Sequence, residues 1–428
     1  MVVGAPHPGS GTAGDIVRRL APSPSPEDVM AIRFPRPEPP GLGWTVEAPA
    51  GPVYLDHNAT TPTDPRVTEA MAPYLTTHFG NPSSAHRYAD RPRRALATAR
   101  ARVAALVGAH PPEIVFTASG SEANLLALRG VLLASGDRVP HVITQVTEHP
   151  AVLETCRALE RLHGVRVTVL PVDGDGLVDP ATLRTALRAV PDVTLVSVMA
   201  ANNETGALQP IAELAALARE HGALTHCDAA QAVGKIPVDV RDLGVDLLTV
   251  VGHKMYAPKG VAALYVRDGV SLEPVTYGGG QERGLRSGTE NVALAVALGA
   301  AADLAAKDLA DGEPTRLAAL RDDLHRRLAD GLPGRTRLNG PVERRLPNTL
   351  NIGVDGVPGH ALLAAAPELA ASTGSACHSG AHTPSPVLSA MGLNRNRALE
   401  AVRLSLGRWS TPAQVETAAT ALVAAARP

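Results

Sequence analysis

The sequence predicts an α/β fold built on a mostly parallel sheet with helices on both faces. Three observations carry this reading. From Val53 onward, apolar runs of four to eight residues alternate with helical patterns. The runs are continuous rather than alternating, as expected of strands buried on both faces. The most chemically suggestive residues stand directly after these runs, at the strand ends where open α/β sheets bind ligands.

The elements follow in order. Residues 1–52 are rich in Pro and Gly, as in Pro35-Arg36-Pro37-Glu38-Pro39-Pro40, and show no sustained period. They predict a mostly disordered extension. Strands are expected at 113–117, 141–145, 165–170, 193–199, 223–227, 246–251 and 261–266, with helices at 121–133, 150–163, 180–189 and 211–221 between them. A long helix at 290–309 leads to helix 314–330, strand 348–353, helix 359–366 and a Ser/Gly/Ala/Pro-rich loop at 372–386. The chain is expected to divide into a large domain, 64–310, and a small α+β domain made of 53–63 and 311–428. A chain of 428 residues is long enough for both cores.

Composition excludes several classes. The chain has 40 basic and 42 acidic residues, a net charge of −2, which suits neither nucleic acid nor an anionic membrane. No apolar run reaches the ~20 residues of a membrane helix, and the N-terminus lacks a basic-then-apolar signal pattern. Three cysteines, Cys156, Cys227 and Cys377, cannot all pair, so a reduced, cytoplasmic setting is expected.

Lys254 ends a buried strand in Val250-Val251-Gly252-His253-Lys254. Desolvation lowers a lysine pKa, and a neutral amine can form a Schiff base with an aldehyde, so Lys254 is the candidate anchor for pyridoxal phosphate (PLP). The alternative is a solvated cap. Gly120-Ser121-Glu122-Ala123-Asn124 opens a helix, where backbone N–H groups and a hydroxyl suit a phosphate; the alternative is an ordinary cap by Ser121. Asp228 closes another strand, as an acid that would keep a pyridine nitrogen protonated or as a cap for the next helix. His149 follows a strand and could stack on a flat cofactor and move protons, or be structural.

Cys377, in Gly374-Ser375-Ala376-Cys377-His378-Ser379-Gly380, is flanked by small residues and is not core filling. It could be a nucleophile, a metal ligand with His378 and His382, or an incidental thiol. No second cysteine stands at zinc-finger spacing, so no metal is expected. Arg403 sits in an apolar run and needs an anionic partner, either a substrate carboxylate or a structural Asp or Glu. Cys156 and Cys227 fall in helix and strand patterns and are expected to be buried.

Together these segments resemble the cysteine desulfurases and selenocysteine lyases of the class V aminotransferase superfamily. The resemblance runs from Tyr54 to about Thr411 and includes Tyr54-Leu55-Asp56-His57-Asn58-Ala59-Thr60-Thr61-Pro62, Ala201-Asn202-Asn203-Glu204-Thr205-Gly206, Asp228-Ala229-Ala230-Gln231, Arg286-Ser287-Gly288-Thr289 and Arg403-Leu404-Ser405-Leu406-Gly407-Arg408. It implies PLP fold type I and a homodimer. It implies that Lys254 anchors PLP, Asp228 pairs with the ring nitrogen, Gln231 bonds the phenolic oxygen and His149 stacks on the ring. Ser121, His253 and the partner subunit's Thr289 would hold the phosphate with Gly120, while Asn203 and Arg403 would bind the substrate carboxylate. Cys377 would take sulfur from L-cysteine, leaving L-alanine, and pass it to an acceptor or iron–sulfur scaffold protein. One departure stands out: many desulfurases carry serine where this chain has Val251, and that stretch looks more like the lyases that release selenide from L-selenocysteine.

Overall fold

The computed structural model describes residues 51–136, 139–190, 192–374 and 383–427. Twelve strands lie among them: β1 (Val53–Tyr54), β2 (Ile114–Thr117), β3 (His141–Gln145), β4 (Arg166–Leu170), β5 (Leu195–Ser197), β6 (Leu224–Asp228), β7 (Leu247–Val251), β8 (Ala262–Val266), β9 (Thr336–Leu338), β10 (Thr349–Val354), β11 (Leu369–Ala370) and β12 (Ala401–Ser405).

Seven of them form one sheet in the order β2-β8-β7-β6-β5-β3-β4. These are the seven strands expected from the apolar runs, each within two residues at either end. Neighbours from β7 to β4 pair in parallel, while β8 runs antiparallel to both β7 and β2. The sheet is therefore mostly parallel, as the α/β reading requires. The C-terminal ends of β2, β3, β5, β6 and β7 consequently share one edge.

Alternation along the strands divides the core between two faces. Ile114, Ile143, Val196, Leu248 and Ala263 face one buried cluster, packed by helices Asp90–Leu106, Pro180–Ala189, Ile211–Glu220 and Val292–Ala310. Val115, Val142, Leu195, Leu247 and Leu264 face the other, under helices Gly120–Leu133 and Pro150–His163. Only the edge strand β4 exposes much of its length. Each fully buried leucine contributes about 2 kcal/mol of transfer free energy.

A second sheet, β12-β10-β9, is antiparallel and packs its own cluster of Leu350, Ile352, Val402 and Leu404 against helices Glu313–Gly331 and Pro412–Ala425. A two-stranded parallel pair joins β1 to β11. Strands β1, β9, β11 and β12 have no counterpart in the apolar-run reading. Three of them are two or three residues long, too short for any period to register. No helix among the described residues is long and apolar enough to cross a membrane.

Candidate active site

Five strand ends and the segment after β1 enclose a cavity of about 860 Å³. Its lining includes Asn58, Gly120, Ser121, Asn124, His149, Asn203, Asp228, Gln231, His253, Lys254 and Arg403, together with Ser372, Thr373 and Gly374. Nine of the residues singled out from the sequence thus share one concavity.

Lys254 ends a short 3₁₀ turn, Gly252–Lys254, that β7 drops into. The turn needs Gly252, because a Cβ there would lie 2.8 Å from the Val261 carbonyl oxygen. Lys254 Nζ donates to the carbonyls of Asn58 at 2.6 Å and Ala59 at 2.7 Å. It is not a solvated cap. Burial and then the Arg403 guanidinium push its pKa down to about 8, against the pull of Asp56 and Asp228.

Asp228, at the end of β6, accepts from Asn124 Nδ2 at 2.7 Å and from the Ala230 N–H at 3.0 Å. It closes a turn; no helix follows it directly, so the helix-cap alternative fails. Behind it runs a buried polar chain. Asn124 Oδ1 accepts from Thr249 Oγ1 at 2.7 Å, Thr249 Oγ1 meets His226 Nε2 at 3.2 Å, and His226 Nδ1 meets Ser197 Oγ at 2.9 Å. Since Thr249 donates to Asn124, His226 Nε2 must carry the proton and Nδ1 must accept from Ser197. Burial pushes the His226 pKa down to about 4, which keeps the ring neutral and the chain's direction fixed.

His149 is the N-cap of helix Pro150–His163: its Nδ1 accepts from the Ala151 N–H at 3.1 Å. Burial and then Lys254 lower its pKa, so the proton of the neutral ring sits on Nε2. His253 meets Thr60 Oγ1 through Nδ1 at 3.1 Å, and burial and the neighbouring lysines push its pKa down to about 4. Gln231 Nε2 donates to the Asn58 carbonyl at 3.0 Å.

Helix Gly120–Leu133 is capped by Ser119, whose side chain accepts from the Glu122 N–H, and not by Ser121. Ser121 instead stands in the first turn, at the positive end of the helix dipole. A Cβ on Gly120 would lie 2.5 Å from Val251 Cγ2, so the valine methyl occupies the space a larger residue would need.

Arg403, on β12, donates from Nη2 to Asp56 Oδ1 at 2.7 Å and from Nη1 to the Asn203 carbonyl at 3.0 Å. The structural-partner alternative therefore holds for part of the guanidinium. Its Nε is buried and meets no acceptor among the described residues.

Two assigned residues are not in this cavity. Thr289 lines a separate cavity of about 270 Å³ with Arg286, Gly288 and Glu290; Gly260 and Val261 border both. Cys377 lies outside the described residues, as do His378 and His382. Among the described residues no three His, Cys, Asp or Glu side chains cluster as a metal site. Cys156 and Cys227 are buried, and burial raises both thiols, Cys156 to about 12, so neither is a ready nucleophile.

Residue reading missed the groups that hold the site together. Asn58 binds six side chains and one backbone carbonyl from distant parts of the chain, including Lys235, Thr349 and Ser405. Asn124 carried a usable signal: it lies four residues after Gly120, one helical turn along the same face. Asn58 and Lys235 carried none, because their partners are far away in sequence.

The profile of the family described as Aminotransferase class-V matches residues 53–417. A "Cysteine desulfurase IscS" from Anaeromyxobacter dehalogenans is 47% identical over 370 residues, 86% of this chain and 90% of its own length. The chain belongs to the cysteine desulfurase family of the class-V aminotransferases. Among its family relatives, a "Cysteine desulfurase" of Rattus norvegicus is 43% identical over 373 residues, 86% of this chain and 82% of its own. Solved structures agree. A "NifS-like protein" superposes with a TM-score of 0.80 at 35% identity, covering 87% of this chain and 98% of its own. A structure titled "SspA in complex with cysteine" has a TM-score of 0.73 at 35% identity, covering 82% and 98%. The family is PLP-dependent, and its fold is the α/β arrangement described above.

Proposed function

We propose that this protein is a PLP-dependent cysteine desulfurase that converts L-cysteine to L-alanine and passes the sulfur through Cys377 to an acceptor. The observation that carries the reading is Lys254: a lysine with a lowered pKa, in one cavity with the hydrogen-bonded carboxylate of Asp228.

The donor set fits PLP. Lys254 supplies the amine for the aldehyde, Asp228 an anion for the ring nitrogen, and Gln231 an N–H for the phenolic oxygen. The first turn at Gly120 and Ser121, with His253 and the partner subunit's Thr289, supplies donors for the phosphate. Bound there, PLP supplies an electron sink for the substrate's α-carbon.

The protein's own groups do the rest. The Arg403 guanidinium and the Asn203 side chain, both lining the cavity, offer donors to the substrate carboxylate. Lys254 Nζ, once freed by the substrate amine, accepts the α-proton, and His149 Nε2 is the second proton carrier. The Cys377 thiolate then attacks the substrate sulfur. The C–S bond breaks, an S–S bond forms as a persulfide on Cys377, the β-carbon takes a proton, and the proton held by Lys254 returns to the α-carbon to give alanine. The persulfide passes to a sulfur acceptor or iron–sulfur scaffold protein.

The reading includes a cytoplasmic homodimer. Leu75, Phe79 and Tyr88 support the dimer: they are exposed by 62–68% on one segment, with the Phe79 and Tyr88 rings 5.6 Å apart. The separate cores of the two larger sheets support a division at 63/64 and 310/311.

The test uses the PLP-loaded protein with L-cysteine. Alanine and sulfide should form in equal amounts with a thiol reductant present. Cys377→Ser should keep the cofactor's visible band and lose sulfide release by at least about a thousandfold; unchanged turnover in that variant would refute the nucleophile. L-Selenocysteine at equal concentration is the discriminating control, and a large selenide preference would replace the desulfurase with a selenocysteine lyase.

The packing of Val251 on Gly120 gives a further expected result. Gly120→Ala forces the helix start or the valine to move, and over-packing of this kind costs about 1–3 kcal/mol. PLP affinity should fall roughly tenfold or more, and adding Val251→Ala should recover most of it. Equilibrium titration with PLP measures both.

A further inference from the structure

Lys235 is a buried lysine with no carboxylate beside it among the described residues. Only 9% of its surface is exposed. Its Nζ donates to Asn58 Oδ1 at 3.1 Å and, at shorter range, to Gln231 Oε1. The charges that bear on it are cationic, Lys254 from the turn after β7 and Arg403 from β12. It bears in turn on His57 and His253. Burial pushes its pKa well below the ordinary lysine value, and the two cations add to that. Burying an amine so costs stability that a methionine of similar length would not.

The effect on Gln231 is directional. The two ends of a glutamine amide have nearly the same shape but opposite hydrogen-bonding roles. Lys235 Nζ meets two acceptor oxygens and donates to both. Asn58 cannot reverse its amide, because its Nδ2 donates to Thr349 Oγ1 at 2.8 Å while Thr349 donates to Asn348 Oδ1 at 3.1 Å. Gln231 Nε2 faces the Asn58 carbonyl, which can only accept, so Oε1 faces Lys235. That carbonyl is the same oxygen that takes Lys254 Nζ at 2.6 Å. An N–H donor is thus held beside the reactive amine.

We propose that Lys235 is a positioning residue: by holding Gln231 Oε1 it makes Gln231 present an N–H, rather than a carbonyl, to the cofactor oxygen next to the Lys254 linkage, and so lowers the proton affinity of that linkage. The inference rests on the PLP reading above. An N–H bonded to a phenolate oxygen disperses its charge and weakens its hold on the linkage proton. A carbonyl facing the same oxygen does the reverse.

The readout is the pH midpoint of the visible absorption band of the PLP-loaded protein. The other groups facing Lys254, namely Arg403, Asp56, Asp228, His149 and His253, stay in place, so variants are referenced directly to the parent chain. Lys235→Met should raise the midpoint by about one unit, a tenfold rise in proton affinity and the scale of one hydrogen bond. Gln231→Ala should raise it similarly, and Lys235→Met added to Gln231→Ala should raise it no further. An unchanged midpoint in cofactor-loaded Lys235→Met overturns the proposal, and so do additive shifts in the double variant. A purely structural lysine would lower melting temperature and cofactor content without moving the midpoint. If Lys235→Met does not fold, Gln231→Ala decides: a raised midpoint supports the route through its amide and an unchanged one removes it. A parent protein with no visible band would instead sink the PLP reading.

Discussion

Replacing Lys254 with alanine is expected to abolish the visible band of the bound cofactor and to cut turnover by at least about a thousandfold, on the order of 4 kcal/mol of barrier. The size follows from two roles falling on one atom. In the proposed mechanism Nζ is both the anchor for the aldehyde and the acceptor of the α-proton. Its environment suits both: a pKa near 8 leaves roughly a tenth of the amine neutral at pH 7, where an ordinary lysine near 10.5 leaves about one part in three thousand. The same number gives a pH dependence. Capture of PLP by cofactor-free protein needs the neutral amine, so its rate should climb as pH rises toward 8 and level off above it. A rate that climbs steadily to pH 10 would mean that Lys254 keeps an ordinary pKa. The alanine variant should keep its fold, since the lost partners, the Asn58 and Ala59 carbonyls, sit at a cavity wall within reach of water.

Asp228→Asn is expected to have the second largest effect, again about a thousandfold in turnover, with the cofactor still bound. An amide cannot hold a pyridine nitrogen protonated, so the ring loses most of its capacity to accept electrons. The change also meets resistance from the protein. Asn124 Nδ2 donates to one carboxylate oxygen and the Ala230 N–H to the other, so a new NH₂ must face a donor whichever way it turns. Asn124 cannot simply reverse, because its Oδ1 already accepts from Thr249. One buried donor is left unpaired, at a cost of about 1–3 kcal/mol of stability. Thermal unfolding and steady-state kinetics on the same preparation check the two halves separately. Full activity in Asp228→Asn would remove the carboxylate from the mechanism.

Much of the site was legible because α/β sheets place function where buried strands stop. Lys254, Asp228 and His149 each follow an apolar run, and the runs themselves mark all seven strands of the main sheet. Arg403 was legible as a charge in an apolar stretch, although its strand, β12, was not. What escaped was long-range polar packing. Asn58, Lys235 and His226 gain their meaning from partners that no local period reveals. The Ser121 cap alternative failed for a local reason: Ser119, two residues earlier, has the extended backbone and free side chain that a cap requires.

The hub at Asn58 has a consequence for how the molecule is made. Asn58 N–H donates to Ser405 Oγ across 347 residues of chain, and Arg403 reaches Asp56 across the same separation. Contacts of such high order close late, after the entropy of a very long loop has been overcome. During synthesis, most of the main sheet can assemble while β12 is still inside the ribosome. The pocket wall formed by residues 56–59 cannot, because its last supports, Arg403 and Ser405, come from β12. Cofactor capture is thereby tied to the emergence of β12, and a chain truncated before β12 would present Lys254 without the wall that holds it.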